Sequence, residues 1–253
     1  MNKQAIINKL KERLEPLDYY HALWLEGSDA NGTADAYSDI DIWADIDDER
    51  EAEAIAAAEA ALLEFAAFDY KAVLSHSHPQ IRQRAYHLAG TCEWLLIDFC
   101  FQLHSRPQEY CFYEDDTVEA ALVIFDKDGV VPYKPGLPPV DAEANAALLE
   151  KMRCRFTQHS RVIRYVRRGQ YLGAFAYYQR YVLEPLACLL RLIYTPAYAD
   201  YGYSHASRHV PPEQVERLEY FARVSSLEEI EAKIPEAQSW FEQLLSKIRT
   251  EEN

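Results

Sequence analysis

No stretch of the 253-residue chain approaches the ~20 consecutive apolar residues that a membrane-spanning helix requires, so no membrane partner is expected. The N-terminal MNKQAIINKLKERLE interleaves charges with its apolar residues and reads as an amphipathic helix rather than a signal peptide; a cytoplasmic location is the expectation. Paired cysteines are missing too. Cys92, Cys100, Cys111, Cys154 and Cys188 are scattered, odd in number and never spaced Cys-x-x-Cys, which argues against a disulfide framework or a cysteine zinc site. A basic, aromatic-interleaved track is lacking from the first 140 residues, which hold 26 acidic and 11 basic side chains, a net of −15, whereas residues 141–253 hold 15 of each. Such an acidic half repels nucleic acid and attracts a cationic acceptor; the alternative is that the acidity only keeps the protein dissolved. With 49% apolar and 26% charged residues, the composition is that of a folded globular protein long enough to bury a core.

Taken in order, residues 2–15 space Ile6, Ile7, Leu10 and Leu14 as a helix that stops at Pro16. A strand is predicted over 22–26, then a Gly27-Ser28 turn. Asp47 and Asp48 read as caps of a helix over about 49–65, followed by a strand over 68–75. His76 and His78 form a His-x-His pair that has metal-ligand spacing on a strand but no further ligand nearby, so they are read as loop histidines. RQRAYHLAGTCEWLLIDFCFQ is predicted to be a hairpin turning at Ala89-Gly90-Thr91. In its second strand Trp94, Leu96, Asp98 and Cys100 share one face, and Leu95, Ile97, Phe99 and Phe101 the other. ALVIFDKDGVV reads as a strand and turn. Its Asp126–Gly129 is not a calcium loop, for which a dozen residues and a closing Glu are needed. Pro132, Pro135, Gly136, Pro138 and Pro139 then mark a boundary between domains at 1–135 and 140–253. Beyond Asp141 the pattern is helical, near 141–168, 171–194, 212–222 and 226–248. The window 151–183 holds eight basic residues and no acidic one, and Arg161, Arg164 and Arg168 are spaced as one helical face. Pairing with the acidic half is the expectation for most of them, with Arg164 and Arg180 the candidates for binding a triphosphate.

The chemistry concentrates in LWLEGSDANGTADAYSDIDIWAD, residues 23–45. Asp39 and Asp41 alternate with Ile40 and Ile42 on a strand, so the two carboxylates face one way and the isoleucines the other, the outline of a divalent-metal site. The GSDANGT loop offers N–H groups and a hydroxyl to a phosphate tail, with Gly27 and Ser28 as the binding residues. Asp98 is a charge in an otherwise apolar strand, costly unless compensated; a buried ion pair with an arginine is the alternative to a site role.

A Gly-Ser pair closing a strand, ten intervening residues and Asp-x-Asp flanked by aliphatics resembles the signature of the DNA polymerase beta-like nucleotidyltransferases. Within that superfamily the motif is most similar to bacterial aminoglycoside and lincosamide adenylyltransferases. It covers roughly the first 100 residues; the remainder is similar only in general organisation. The resemblance implies an α+β fold, with a mixed β-sheet domain backed by helices and followed by an α-helical bundle. It also implies a third carboxylate on a later strand, matched by Asp98 with Glu93 as second choice. Three carboxylates suit Mg²⁺, so Asp39, Asp41 and Asp98 become the expected metal ligands and catalytic residues, Asp98 also accepting a proton. By the same resemblance ATP is the donor co-substrate and a small, cationic hydroxyl compound the acceptor. Adenylylation of a partner protein, as by an antitoxin-like enzyme, and a non-catalytic nucleotide-binding module are the alternatives.

Overall fold

The computed structural model describes residues 3–107 and 111–251. The chain divides into two compact units, Met1–Pro138 and Pro139–Asn253. The first is α+β. Helix α1 (Lys3–Leu14) precedes strand β1 (Tyr20–Leu25), a single helical turn α2 (Gly27–Ala30), β2 (Ile40–Ile46), α3 (Glu51–Leu63), β3 (Phe68–Leu74), β4 (Ile81–Leu88) and β5 (Ile97–Leu103). β6 (Phe112–Tyr113), β7 (Leu122–Asp126) and β8 (Tyr133–Lys134) complete it. Six strands form a mixed sheet in the order β3-β4-β5-β2-β1-β7, in which β2 and β5 are parallel and the other neighbours antiparallel.

Alternation explains how the sheet is sided. Ile40, Ile42, Ala44 and Ile46 of β2 and Ile97, Phe99, Phe101 and Leu103 of β5 are buried in one cluster with Ile6, Ile7, Leu10 and Leu14 of α1 and Ala54, Ala58, Ala61 and Leu62 of α3. Each large apolar side chain so buried contributes about 1.5–3 kcal/mol. The opposite face carries Asp41, Trp43 and Asp45 on β2, Asp98, Cys100 and Gln102 on β5, and Ala22 and Trp24 on β1, the last two within a smaller cluster with Phe112, Val130 and Val131.

The second unit is helical: α4 (Ala142–Phe156), α5 (Ser160–Arg167), α6 (Tyr171–Tyr178), α7 (Glu184–Tyr194), α8 (Ala206–His209), α9 (Pro212–Ala222) and α10 (Leu227–Glu251), with a π-helical segment Gln179–Leu183 joining α6 to α7. In α6 Tyr178 is fully buried and its hydroxyl donates to the Phe221 carbonyl, 3.0 Å away. Gly173 lets α6 approach α5, since a Cβ there would stand 2.4 Å from the Tyr165 ring. No helix among the described residues is long and apolar enough to cross a membrane.

Several expectations need correcting. β5 begins at Ile97; Cys92 to Leu96 form a turn closed by Leu95 N–H to Cys92 carbonyl and Leu96 N–H to Trp94 carbonyl bonds, so Trp94 and Leu96 are not strand residues. Asp47 and Asp48 do not cap α3: Asp47 bonds His21, and Asp48 accepts from the Ser105 N–H and hydroxyl. The helix expected over 141–168 tightens to a 3-10 turn at 157–159, where the Thr157 hydroxyl bonds the Cys154 carbonyl, and Arg168 lies at the end of α5. Of the basic residues, Arg153, Arg155 and Arg167 pair with Glu150, Glu184 and Glu231 of their own unit. His76 and His78 accept backbone N–H bonds from His78 and Gln80 and so shape the loop between β3 and β4.

Phe99 is fully buried and stacks on Phe101 at 4.2 Å. Phe99→Ala is expected to cost about 3–5 kcal/mol in urea unfolding. Asp141 accepts the Ala144 N–H at the start of α4, so Asp141→Ala is expected to cost only about 1 kcal/mol, read as a shift of the second unit's transition.

Candidate active site

β2 and β5 run parallel with Asp41 directly opposite Asp98. Neighbouring strands lie ≈ 4.8 Å apart, and residues in register project to the same face, so the two carboxylates are neighbours on the face away from the helices. Asp39 precedes β2 by one residue, where the Ile40 N–H to Leu96 carbonyl bond continues the pairing. Its charge reaches both others: burial first, then Asp39, Asp98 and Asp29, raise the Asp41 carboxyl to about 6. Burial is also the main influence raising Asp98, with Asp39 adding to it. Gln83 opposes the rise, its amide donating to both Asp98 oxygens at 2.9 and 2.7 Å. Asp98 is therefore steadied by a neutral amide rather than by the arginine considered as the alternative. Glu93, the second choice for the third carboxylate, is exposed in the turn before β5.

Gly27 has a role that its motif alone does not reveal. Its φ is +60°, and a Cβ on it would stand 2.2 Å from Asp41 Oδ2. Glycine is required here because the carboxylate of the second motif rests against the backbone of the first. Ser28 is buried beside it in α2, and the Glu26 N–H donates to the Asp41 carbonyl, 3.1 Å away. Lys3 of α1 pairs with Asp29 at 2.8 Å and so ties the first helix to this turn. Arg164 and Arg180 both lie exposed in the helical unit, the latter 5.7 Å from the Tyr181 ring.

The ligand atoms of Asp39, Asp41 and Asp98 do not close to within 4.8 Å of one another; among the described residues that spacing belongs to His21, Asp45 and His104. Three like charges repel, and nothing of opposite sign among them draws them tighter.

No protein-family model and no curated sequence matches the chain. A solved structure that resembles it is an aminoglycoside 6-adenyltransferase from Bacillus subtilis, with TM-score 0.40 and 12% identity over 98% of this chain and 90% of that one.

Two neighbours of these carboxylates escape the sequence reading. Glu26, just past β1, is half-buried; desolvation above all, then Glu119 and Asp41, push its carboxyl up to about 7 despite a 2.8 Å bond from the Trp24 indole. It borders a cleft of about 410 Å³, walled by Trp24, Trp43 and His76 and edged by Arg106 and Glu119. Trp24 and Trp43 stack at 5.9 Å, and Trp43 meets His76 edge-on at 6.3 Å. That size suits a small molecule, and those walls suit a flat or amphipathic ring. The only sequence signal for Glu26 is its alternation with Trp24; for Gln83 there is none.

Two outcomes follow. Gly27→Ala, which combines a positive φ with the Asp41 clash, is expected to destabilise by about 1–3 kcal/mol in urea unfolding. The raised carboxyls fix a pH dependence. Asp41 and Glu26 hold protons more tightly folded than unfolded, so their stabilising contribution is complete below about pH 3.8, and it is lost as pH rises through about 6 and about 7. Unfolding free energy in chelator should therefore fall between those limits, and Glu26→Gln, neutral throughout, should flatten the upper part of the slope. A rise in stability across that range would contradict the assignment.

Proposed function

We propose that the chain transfers a nucleoside monophosphate, AMP from ATP, to a hydroxyl of a small cationic acceptor such as an aminoglycoside, releasing pyrophosphate. The observation that carries this is Asp41 in register with Asp98, with Asp39 near enough to raise both and Gly27 fitted against the Asp41 carboxylate. The Gly-Ser and Asp-x-Asp motifs meet physically here, in support of the resemblance drawn from sequence.

The donor set is all oxygen and wholly acidic, which fits Mg²⁺ held by Asp39, Asp41 and Asp98. Bound there, Mg²⁺ would supply charge neutralisation for the phosphoryl oxygens and the departing pyrophosphate. The residues divide the remaining work. An Asp98 oxygen, its orientation set by Gln83, takes the proton of the acceptor hydroxyl. Gly27 and Ser28 present backbone and hydroxyl donors to the β- and γ-phosphates. The tryptophan-walled cleft receives the acceptor, stacking its ring while Glu26 meets its amine; an ammonium group brought there favours the ionised form of Glu26 and offsets its burial.

Incubation of the protein with ATP, Mg²⁺ and a panel of aminoglycosides and lincosamides, followed by mass spectrometry, should show a gain of one AMP on an acceptor. Asp41→Asn and Asp98→Asn should each lower kcat/KM by at least about 100-fold, roughly 2.7 kcal/mol of transition-state stabilisation. Neither should lower stability, because each removes a carboxylate whose charge is disfavoured in the fold. Full activity in either variant removes the proposed metal role. Binding of ATP with Mg²⁺ but no pyrophosphate release with any acceptor would instead identify a nucleotide-binding module.

A further inference from the structure

The three strands that carry the candidate active site at one end hold a different group of ligands at the other. His21 lies near the start of β1, Asp45 near the end of β2 and His104 just after β5. One nitrogen from each imidazole and one oxygen of Asp45 all lie within 4.8 Å of one another. The two rings stack at 3.8 Å with 20° between their planes, so one ring must turn about its Cβ–Cγ bond for both nitrogens to aim at a single ion. Asp45 is 2% exposed, held by Gln102 Nε2 on one oxygen at 2.5 Å and by His104 Nδ1 on the other at 2.6 Å. Gln102 is itself fixed by Arg106, at 2.8 Å. Each nitrogen of His21 has its own carboxylate: Asp128, from the turn after β7, lies 2.5 Å from Nδ1, and Asp47 lies 2.9 Å from Nε2.

We propose that His21, Asp45 and His104 form a second divalent-metal site, suited to Zn²⁺, with Asp47 and Asp128 supporting His21. The donor chemistry separates it from the active site. Imidazole nitrogen with carboxylate oxygen selects zinc, cobalt or nickel over magnesium, which takes oxygen donors. Distance separates it as well. Asp41 and Asp45 are four residues apart on β2, about 13 Å along the strand, so one ion cannot serve both ends.

The support around His21 is what a metal-bound imidazole uses. A ligating histidine donates its other N–H to a carboxylate, which fixes the ring and raises its basicity, and His21 offers this arrangement whichever nitrogen binds. The carboxylate on the binding nitrogen is then released as a further oxygen donor. Charge favours the same outcome. Three carboxylates surround two imidazoles, and protonating both rings would place like charges face to face at stacking distance, whereas one divalent cation offsets the carboxylates with both rings neutral.

An ion here would staple four separate segments, namely the start of β1, the end of β2, the residue after β5 and the turn after β7, and would stabilise the first unit without touching the transfer chemistry. The test uses untagged full-length protein, stripped with chelator, in an Asp41→Asn/Asp98→Asn background so that the carboxylate site cannot bind. Co²⁺ titration should give tetrahedral d–d absorption saturating at one equivalent, displaced by Zn²⁺. Saturating Zn²⁺ should raise Tm by about 5 °C, a shift reversed by chelator. His21→Gln and His104→Gln should each abolish both signals. Should those variants fail to fold, X-ray absorption at the zinc edge of the unsubstituted protein decides: imidazole scattering supports the site, and an all-oxygen shell overturns it. A Zn²⁺-induced Tm shift that survives both histidine substitutions, or no Co²⁺ absorption at all, also overturns it.

Discussion

The parallel pairing of β2 with β5, which sets Asp41 directly opposite Asp98, is the constraint from which the rest of the first unit follows. Two carboxylates side by side on neighbouring strands are unfavourable in themselves, and Asp41 is raised first by burial, then by Asp39 and Asp98. The register is held because the alternate residues, Ile40, Ile42, Ala44 and Ile46 on one strand and Ile97, Phe99, Phe101 and Leu103 on the other, are all buried. A slip of one residue in either strand would turn that strand's aspartate into the core and its apolar side chains into water. Seven large buried side chains at up to about 1.5–3 kcal/mol each, with Ala44 adding less, outweigh a repulsion of a few kcal/mol between partly solvated carboxylates. The apolar face determines the geometry of the polar one.

That division of labour organises the remaining elements. α1 and α3 cover the apolar face and bring no site residue except Lys3, which reaches Asp29. The other face is left for Asp41, Asp98 and the Trp24–Trp43 stack, so carboxylates and aromatic walls sit on one surface by the parity of the strands alone. Gly27 joins the two motifs. Because it lacks a side chain, the Asp41 carboxylate can lie against its backbone, and this close approach accounts for the glycine of the Gly-Ser pair without a phosphate contact.

What the sequence discloses depends on whether the signal is local. The alternation around Asp41 and around Asp98 is legible, as is the capping of α4 by Asp141, because each is written in consecutive residues. The pairing that joins Asp41 to Asp98 spans 57 residues and has no local mark. Trp94 to Leu96 misleads for the opposite reason: the run is as apolar as a strand, but the Trp94 indole bonds the Ala36 carbonyl and the backbone turns on itself. Asp47 and Asp48 suit a helix cap by type, yet His21 and Ser105 compete for them from distant segments. Glu26 reads as an ordinary charge at a strand end, and burial above all, then the approach of Glu119 and Asp41, raises its carboxyl. Gln83 carries no charge at all and matters solely through Asp98.

The acidity of the first 140 residues gains a structural meaning from these placements. A net charge of −15 spread evenly over a surface would be a solubility device, but part of it is concentrated at the two ends of three strands, Asp39, Asp41 and Asp98 at one and Asp45, Asp47 and Asp128 at the other. Where the acids are hydrogen-bonded to imidazoles, the cluster is closed to ligand spacing; where Asp98 has the neutral Gln83 amide and Asp41 feels Lys3 only through space, it stays open. The contrast follows from charge alone. A proton on a carboxyl, a metal ion or the amine of an acceptor each relieves the same unfavourable energy, so whichever binds stabilises the fold by as much as the fold favours its binding. On the proposed function, cation binding and the stability of this unit form one linked equilibrium, and the residues that make the acidic end costly to fold are the ones through which a cation would stabilise it.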